Sequence, residues 1–168
     1  MSRSNPYKQK RREARATAQI VVEGFTEDAF CRYLKSVFAR DCGISVEVHN
    51  ARGGSPEDVV RSALKRRGFD RTLILYDTDL TLAERWAAKS RSAGHEVVAS
   101  SPCIEALFLD ILGQRAPADT SDCKRAFSKH MTDQQKCDYR QYGKVFPVKL
   151  LTESSHPSIK LLLSVFGQ

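Results

Sequence analysis

Thr72-Leu73-Ile74-Leu75-Tyr76-Asp77-Thr78-Asp79 is the stretch whose interpretation decides the fold. Residues 72–76 are the most apolar run of the chain and rich in β-formers, so they predict a central strand. The strand stops where two aspartates, one residue apart, face the solvent end. Any fold built on this strand therefore carries Asp77 and Asp79 at one edge of a sheet.

Working outward, the neighbouring segments alternate in kind. Residues 18–22 (AQIVV) predict a strand that ends at Glu23-Gly24. From Thr26 the period changes: Phe30, Leu34, Val37 and Phe38 fall on one helical face, with Thr26 as the expected N-cap and Gly43 as the stop. Glu27 and Asp28 suit the positive end of that helix, and Phe25 with Phe30 suggests a hydrophobic staple across its start. Residues 44–49 (ISVEVH) alternate as a half-exposed strand does. Ser55-Pro56 then opens a second helix after Gly53-Gly54, with Val59, Val60, Ala63 and Leu64 on its apolar face.

Beyond the central strand, residues 82–92 predict a helix carrying Trp86, and residues 96–99 a fourth strand. Ser101-Pro102 leads into a helix with Ile104, Leu107, Phe108 and Ile111 on one face, ending near Gly113. The order β-α-β-α-β-α-β-α implies a mostly parallel four-stranded sheet with helices on both faces, an α/β, Rossmann-like class. Residues 114–122 form a polar linker. A small, mainly helical C-terminal extension follows: a short helix over 123–131, a segment over 142–151 expected to be extended, and a last helix over 158–166. The division expected is an arm over 1–17, an α/β unit over 18–113 and the extension over 114–168.

The chain has 168 residues with 27 Lys plus Arg against 20 Asp plus Glu, a net charge of +7. That length fits one domain able to bury a core without disulfides. No run approaches the ~20 apolar residues of a spanning helix, so no membrane is expected. The charge is unevenly placed. Arg3, Lys8, Lys10, Arg11, Arg12 and Arg15 against Glu13 alone give the first 17 residues +5, while the remaining residues total +2. A basic arm of this kind suits DNA or RNA phosphates, or equally a solvated tail. With no apolar stretch after the arm, a secretory signal is not expected and the protein is read as cytoplasmic. Its five cysteines are then expected to be reduced, and they lack metal-ligand spacing with the histidines.

Ligands of parallel sheets bind beyond the carboxyl ends of the strands. Glu23 ends the first strand and Asp77 and Asp79 end the third, so three carboxylates converge if those strands are neighbours. Uncompensated, they would repel one another. A hard divalent cation, Mg²⁺ or alternatively Mn²⁺, is the natural neutraliser of such an oxygen set. Asp79 as a simple helix cap is the structural alternative. A P-loop and a dinucleotide-binding glycine fingerprint are both absent.

These residues resemble the Toprim fold, with Ile20-Val21-Val22-Glu23-Gly24-Phe25-Thr26-Glu27 and Leu73-Ile74-Leu75-Tyr76-Asp77-Thr78-Asp79 matching its Glu-Gly and Asp-x-Asp signatures. Within that group the chain is most similar to the RloB-like family. The match lies in Glu23–Glu27, Gly53-Gly54-Ser55-Pro56, Ser100-Ser101-Pro102-Cys103-Ile104-Glu105 and Tyr142-Gly143-Lys144. Ser101 stands where the family usually has Asn, and Ile104 replaces an aromatic. The resemblance covers residues 19–113 well and the remainder loosely.

The resemblance implies Glu23 as the proton-transfer residue or a shared ligand, with Asp77 and Asp79 as ligands. Glu105, opening a helix at the same edge, is a candidate fourth carboxylate. Lys144 is a candidate phosphate contact, with a surface lysine as its alternative. Glu27 is expected to serve the helix dipole rather than a metal, and Arg52 to contact phosphate better than the glycines beside it. The expected function is a Mg²⁺-dependent nuclease acting on DNA or RNA. The resemblance further implies an anti-phage or restriction setting with an ATPase or other defence subunit as partner, and a homo-oligomer is compatible with it. The alternative is a non-catalytic nucleic-acid-binding subunit that docks through the basic arm.

Overall fold

The computed structural model describes residues 16–40 and 42–168. The six basic residues of the arm, from Arg3 to Arg15, lie outside the described residues.

Four strands, β1 (Ala16–Val22), β2 (Ile44–Asn50), β3 (Arg71–Asp77) and β4 (Glu96–Ser100), form one sheet in the order β2-β1-β3-β4. Every pairing is parallel, with Val22 opposite Asn50 and Leu75, and Asp77 opposite Ser100. The chain winds from β1 outward to β2, crosses back to β3 and continues to β4. The winding direction therefore reverses between β1 and β3, which is where an open parallel sheet forms its ligand crevice. Both halves of the sheet end at the same side there, Glu23 leaving β1 and Asp77 closing β3.

The strand residues divide between two faces by the period of two. Ala18, Ile20, Val22, Leu73, Leu75 and Val98 point to a face covered by α1 (Phe25–Phe38) and α4 (Ile104–Ile111). Val21, Ile74 and Tyr76 point to the other, against Val59, Val60 and Ala63 of α2 (Pro56–Lys65) and Trp86 of α3 (Glu84–Ser92). Helices on both faces are as expected. The buried Gln19, in the middle of β1, is satisfied by donating to the Arg66 carbonyl and to Thr72 Oγ1 at 2.8 and 3.0 Å.

The C-terminal residues are part of the first face. Helices α5 (Thr120–Phe127), α6 (Asp133–Lys136), a 3₁₀ turn (Tyr139–Gln141), α7 (Tyr142–Val145), α8 (Val148–Glu153) and α9 (Pro157–Ser164) bring Phe127, Tyr142, Phe146, Leu151 and Leu162 into the same core as β1 and β3. Phe108 sits 4.9 Å from Phe30, 5.0 Å from Phe127 and 5.2 Å from Phe146, ring centre to ring centre. Each fully buried ring contributes about 1.5–3 kcal/mol of burial. The far end is fastened too, Arg71 donating to the Ser164 carbonyl while pairing with Glu96.

Several local expectations are corrected. Helix α1 starts at Phe25 with Gly24 as its N-cap, not at Thr26, and Phe25 is 68% exposed, so it makes no staple with the buried Phe30. The linker over 114–122 is already helical at its end, because Asp119 accepts from the amides of Ser121 and Asp122 and caps α5, which stops at Phe127. Residues 142–151 are helical on either side of Pro147 rather than extended. Their buried side chains are spaced for docking onto α1 and α4, a constraint local propensity does not carry. The Ser55 cap and Pro56 start of α2 are as expected, completed by Asp58 in a reciprocal capping box.

All five cysteines are free, with Cys31, Cys103 and Cys123 buried. Among the described residues no helix is long and apolar enough to cross a membrane.

Candidate functional site

Glu23 is positioned by β1 and held by β3: the Asp77 amide donates to Glu23 Oε2 at 3.1 Å. The Gly53 amide donates to the Glu23 carbonyl at 2.7 Å, so the loop after β2 is tied to the same point. Asp79 is drawn toward the start of α4, since the Thr78 amide bonds the Ser100 carbonyl at 2.9 Å and the Asp79 amide the Pro102 carbonyl at 3.1 Å. Glu105 lies one position into α4 and is 2% exposed. The β1–β3 pairing, the Asp77 amide on Glu23 Oε2 and the backbone bonds of Thr78 and Asp79 thus bring three segments, 23–27, 77–79 and 102–105, to the crevice where the winding reverses.

Five carboxylates share this edge electrostatically: Glu23, Glu27, Asp77, Asp79 and Glu105. Asp77 is half-buried, and burial, reinforced by the charges of Glu27, Glu23, Glu105 and Asp79, pushes its pKa up to about 8. Glu27 is 5% exposed, and burial with Glu105 and Glu23 beside it raises its pKa to about 7 despite backbone hydrogen bonds. Glu23 is raised by burial and by Asp79, against the Asp77 amide and the Lys124 charge. Asp79 is exposed at the mouth.

Gly24 has a local reason to be glycine. Its φ of −133° is open to any residue, but a Cβ there would come 2.9 Å from Glu27 Oε2. The Glu23-Gly24 pair therefore gives room for the Glu27 carboxylate to fold back over the helix start. Glu27 does complement the dipole as expected, and it also belongs to the acidic cluster.

Two residues of the cluster were not legible in the sequence. Lys136 ends the four-residue α6 and is only 5% exposed. Its ammonium donates to Glu105 Oε1 at 2.8 Å and pairs with Asp133 at 2.9 Å. Burial opposes its charge, but the bonds to Asp133 and Glu105 outweigh burial and hold it above the usual lysine range. Lys124 of α5 is exposed and faces Glu23 and Asp133 by its charge. A lysine in a polar, mostly exposed segment carries no signal of this kind. The Thr132 capping box that sets α6 is the one local hint.

The buried Tyr142 fixes this arrangement, its hydroxyl lying 2.9 Å from the Lys136 carbonyl and 3.1 Å from that of Thr26. Lys144, two residues on, stands apart: it is exposed and donates to Gln141 Oε1 at 2.9 Å. Arg52 is exposed on the loop joined to Glu23, in the left-handed region at φ 69°, with its amide bonded to Asn50 Oδ1 at 2.6 Å.

The donor set can be tested for a cation. Among the described residues six buried side-chain polar atoms lack a hydrogen-bond partner, and four of them end strands or open α4 at this edge: Asn50 Nδ2, Asp77 Oδ1, Ser100 Oγ and Glu105 Oε2. Buried polar atoms left without a protein partner call for water or an ion. No three His, Cys, Asp or Glu side chains among the described residues are arranged as a ready-made ligand shell. Oxygen donors in excess, two carboxylate oxygens and the Ser100 hydroxyl among them orphaned, fit a cation held by one or two carboxylates and otherwise by water, as Mg²⁺ usually is.

The fold and site together define an all-parallel α/β chain with a carboxylate crevice at its winding reversal. No protein-family model, curated protein or solved structure matches the chain.

Proposed function

We propose that the chain is a divalent-cation-dependent nuclease of the Toprim type, hydrolysing phosphodiesters of DNA or RNA. The observation that carries this reading is the crowding of five carboxylates at the switch point, with Asp77 pushed to about 8. A fold that maintains such repulsion needs a use for it, and perturbed acids in a cleft mark functional sites with a physical reason.

Asp77, with Asp79 or Glu23 as a second carboxylate and water completing the shell, would hold Mg²⁺ or Mn²⁺. Such an ion, when bound, supplies Lewis-acid stabilisation of charge developing on a phosphoryl oxygen. The chain's own residues do the rest. Glu23, raised by burial and Asp79, sits nearer neutrality than an ordinary glutamate and is suited to take or give a proton. The Asp77 amide orients its carboxylate by holding Oε2. Lys124 and Arg52 stand at the rim as phosphate contacts, and the arm residues Arg3, Lys8, Lys10, Arg11, Arg12 and Arg15 add a sequence-independent hold on the polyanion. The RloB-like resemblance adds a cytoplasmic anti-phage role with an ATPase or other defence subunit as partner.

The test is cleavage of labelled single- and double-stranded DNA and RNA with Mg²⁺ or Mn²⁺. Glu23→Gln and Asp79→Asn are each expected to lower the rate by about 100-fold or more, the scale of removing a proton-transfer or transition-state charge group. Salt-sensitive binding without any cleavage would favour the non-catalytic subunit instead. Undiminished cleavage by both variants would place the chemistry elsewhere.

A further inference from the structure

Two large apolar side chains stand in the open directly beside the acids. Phe25, 68% exposed, follows Glu23 by two residues, and Leu80, 52% exposed, follows Asp79 by one. Neither residue packs into the buried core clusters described above. Phe25 gives nothing to its own helix either, since the chain enters α1 through Gly24 without a staple. Lone exposed apolar residues are ordinary on protein surfaces. Two of them placed within two residues of the crevice's acids, Phe25 after Glu23 and Leu80 after Asp79, are a different matter.

A nucleotide has two chemically unlike ends, an anionic phosphate and a flat apolar base. Two residues span at most about 7 Å, so a phosphate at Glu23 and Asp79 leaves a neighbouring base within reach of the Phe25 ring. In a duplex the faces of a base are covered by its neighbours. Only an unpaired or extruded base can lay a face on a protein ring.

We propose that the exposed Phe25, two residues past Glu23, is a base-stacking platform that selects single-stranded nucleic acid at this site. The inference rests on the nuclease reading for where the phosphate lies, and it adds the substrate class. Phe25 is a binding and specificity residue, not a carrier of protons or metal. Stacking on an aromatic face is indifferent to base identity, so DNA and RNA single strands are both accepted and duplexes of either are disfavoured.

The test is equilibrium binding by fluorescence anisotropy, using the full chain with Ca²⁺ and labelled oligo(dT), oligo(U) and a mixed-sequence duplex. Phe25→Ala is expected to weaken binding of one or both single strands about tenfold or more, the scale of one lost stacking contact. Phe25→Trp should restore it, and Phe25→Leu, which keeps apolarity without a flat face, should not. Duplex binding should be unchanged throughout. Phe25 is exposed, so thermal melting of all three variants should match the parent. Wild-type affinity of Phe25→Ala for both single strands, no single-strand binding by the parent, or an equal loss for the duplex would overturn the proposal. Because this readout needs no cleavage, it separates from the nuclease reading. Phe25-dependent binding without Mg²⁺ cleavage would sink the nuclease and keep the platform, and cleavage indifferent to Phe25 would do the reverse.

Discussion

Replacing Lys136 with methionine is expected to cost about 3–5 kcal/mol of stability, the range for stranding one member of a buried ion pair. The side chain keeps its length and its packing, and only the ammonium is lost. Glu105, 2% exposed, then keeps Oε2 without a partner and loses the 2.8 Å contact at Oε1. Asp133 is nearly fully exposed and suffers little. For a chain of this size the loss corresponds to a melting shift of about 10 °C or more. Urea unfolding would show it as a lower midpoint with an unchanged slope.

Two companions make the cause visible. Glu105→Leu added to Lys136→Met should recover most of the loss, because removing both partners removes the stranded charge. Mg²⁺ should raise the melting temperature of Lys136→Met more than that of the parent, since the variant has lost its internal cation. A Lys136→Met protein as stable as the parent would mean that the pair carries no weight in the fold.

The second large effect has the opposite sign. Asp77→Asn should stabilise the metal-free protein at pH 8 by about 2–4 kcal/mol and abolish the proposed nuclease activity. Asp77 is held at about 8 in the folded state and Glu27 at about 7, both above ordinary carboxylates. Between about pH 4 and pH 8 the native state therefore holds protons that the unfolded state has released. Stability in EDTA falls as pH rises through this window, and it is highest at its acidic end. A carboxamide in place of the Asp77 carboxyl cannot ionise, so the variant should lose much of that slope, gaining most at pH 8 and almost nothing near pH 4. Divalent cations should act on the parent in the same direction, raising its melting temperature more at pH 8 than at pH 5. Melting curves at those pH values, with EDTA or Mg²⁺, measure both effects. Equal pH slopes for parent and variant would contradict the assignment.

Both effects come from one cluster, but its members differed in how visible they were beforehand. Glu23, Asp77 and Asp79 stand directly after strand patterns, and the carboxyl ends of parallel strands converge by topology. Glu105 followed from the same argument, one position into a helix. Glu27 was expected only to serve the helix dipole, because nothing local shows that Gly24 leaves room for its carboxylate to turn inward. Lys136 carried no signal, being one lysine among many in a polar stretch. Lys144, singled out instead, is exposed and bonded to Gln141. Phe25 was expected to pack against Phe30, since a staple pattern cannot say whether the helix begins two residues earlier.

What the sequence by itself determined was the alternation of strands and helices, the parallel sheet and the edge that holds the acids. These follow from periodicity, caps and chain direction, all of which act over a few residues. Tertiary structure alone decided which cation neutralises Glu105, which carboxylates are buried enough to resist ionising, and how residues 120–166 join the core. Those outcomes depend on contacts between residues 31 to 116 positions apart, such as Lys136 with Glu105 and Tyr142 with Thr26. Burial and charge act through space, and the space is created only when the helices close over the sheet.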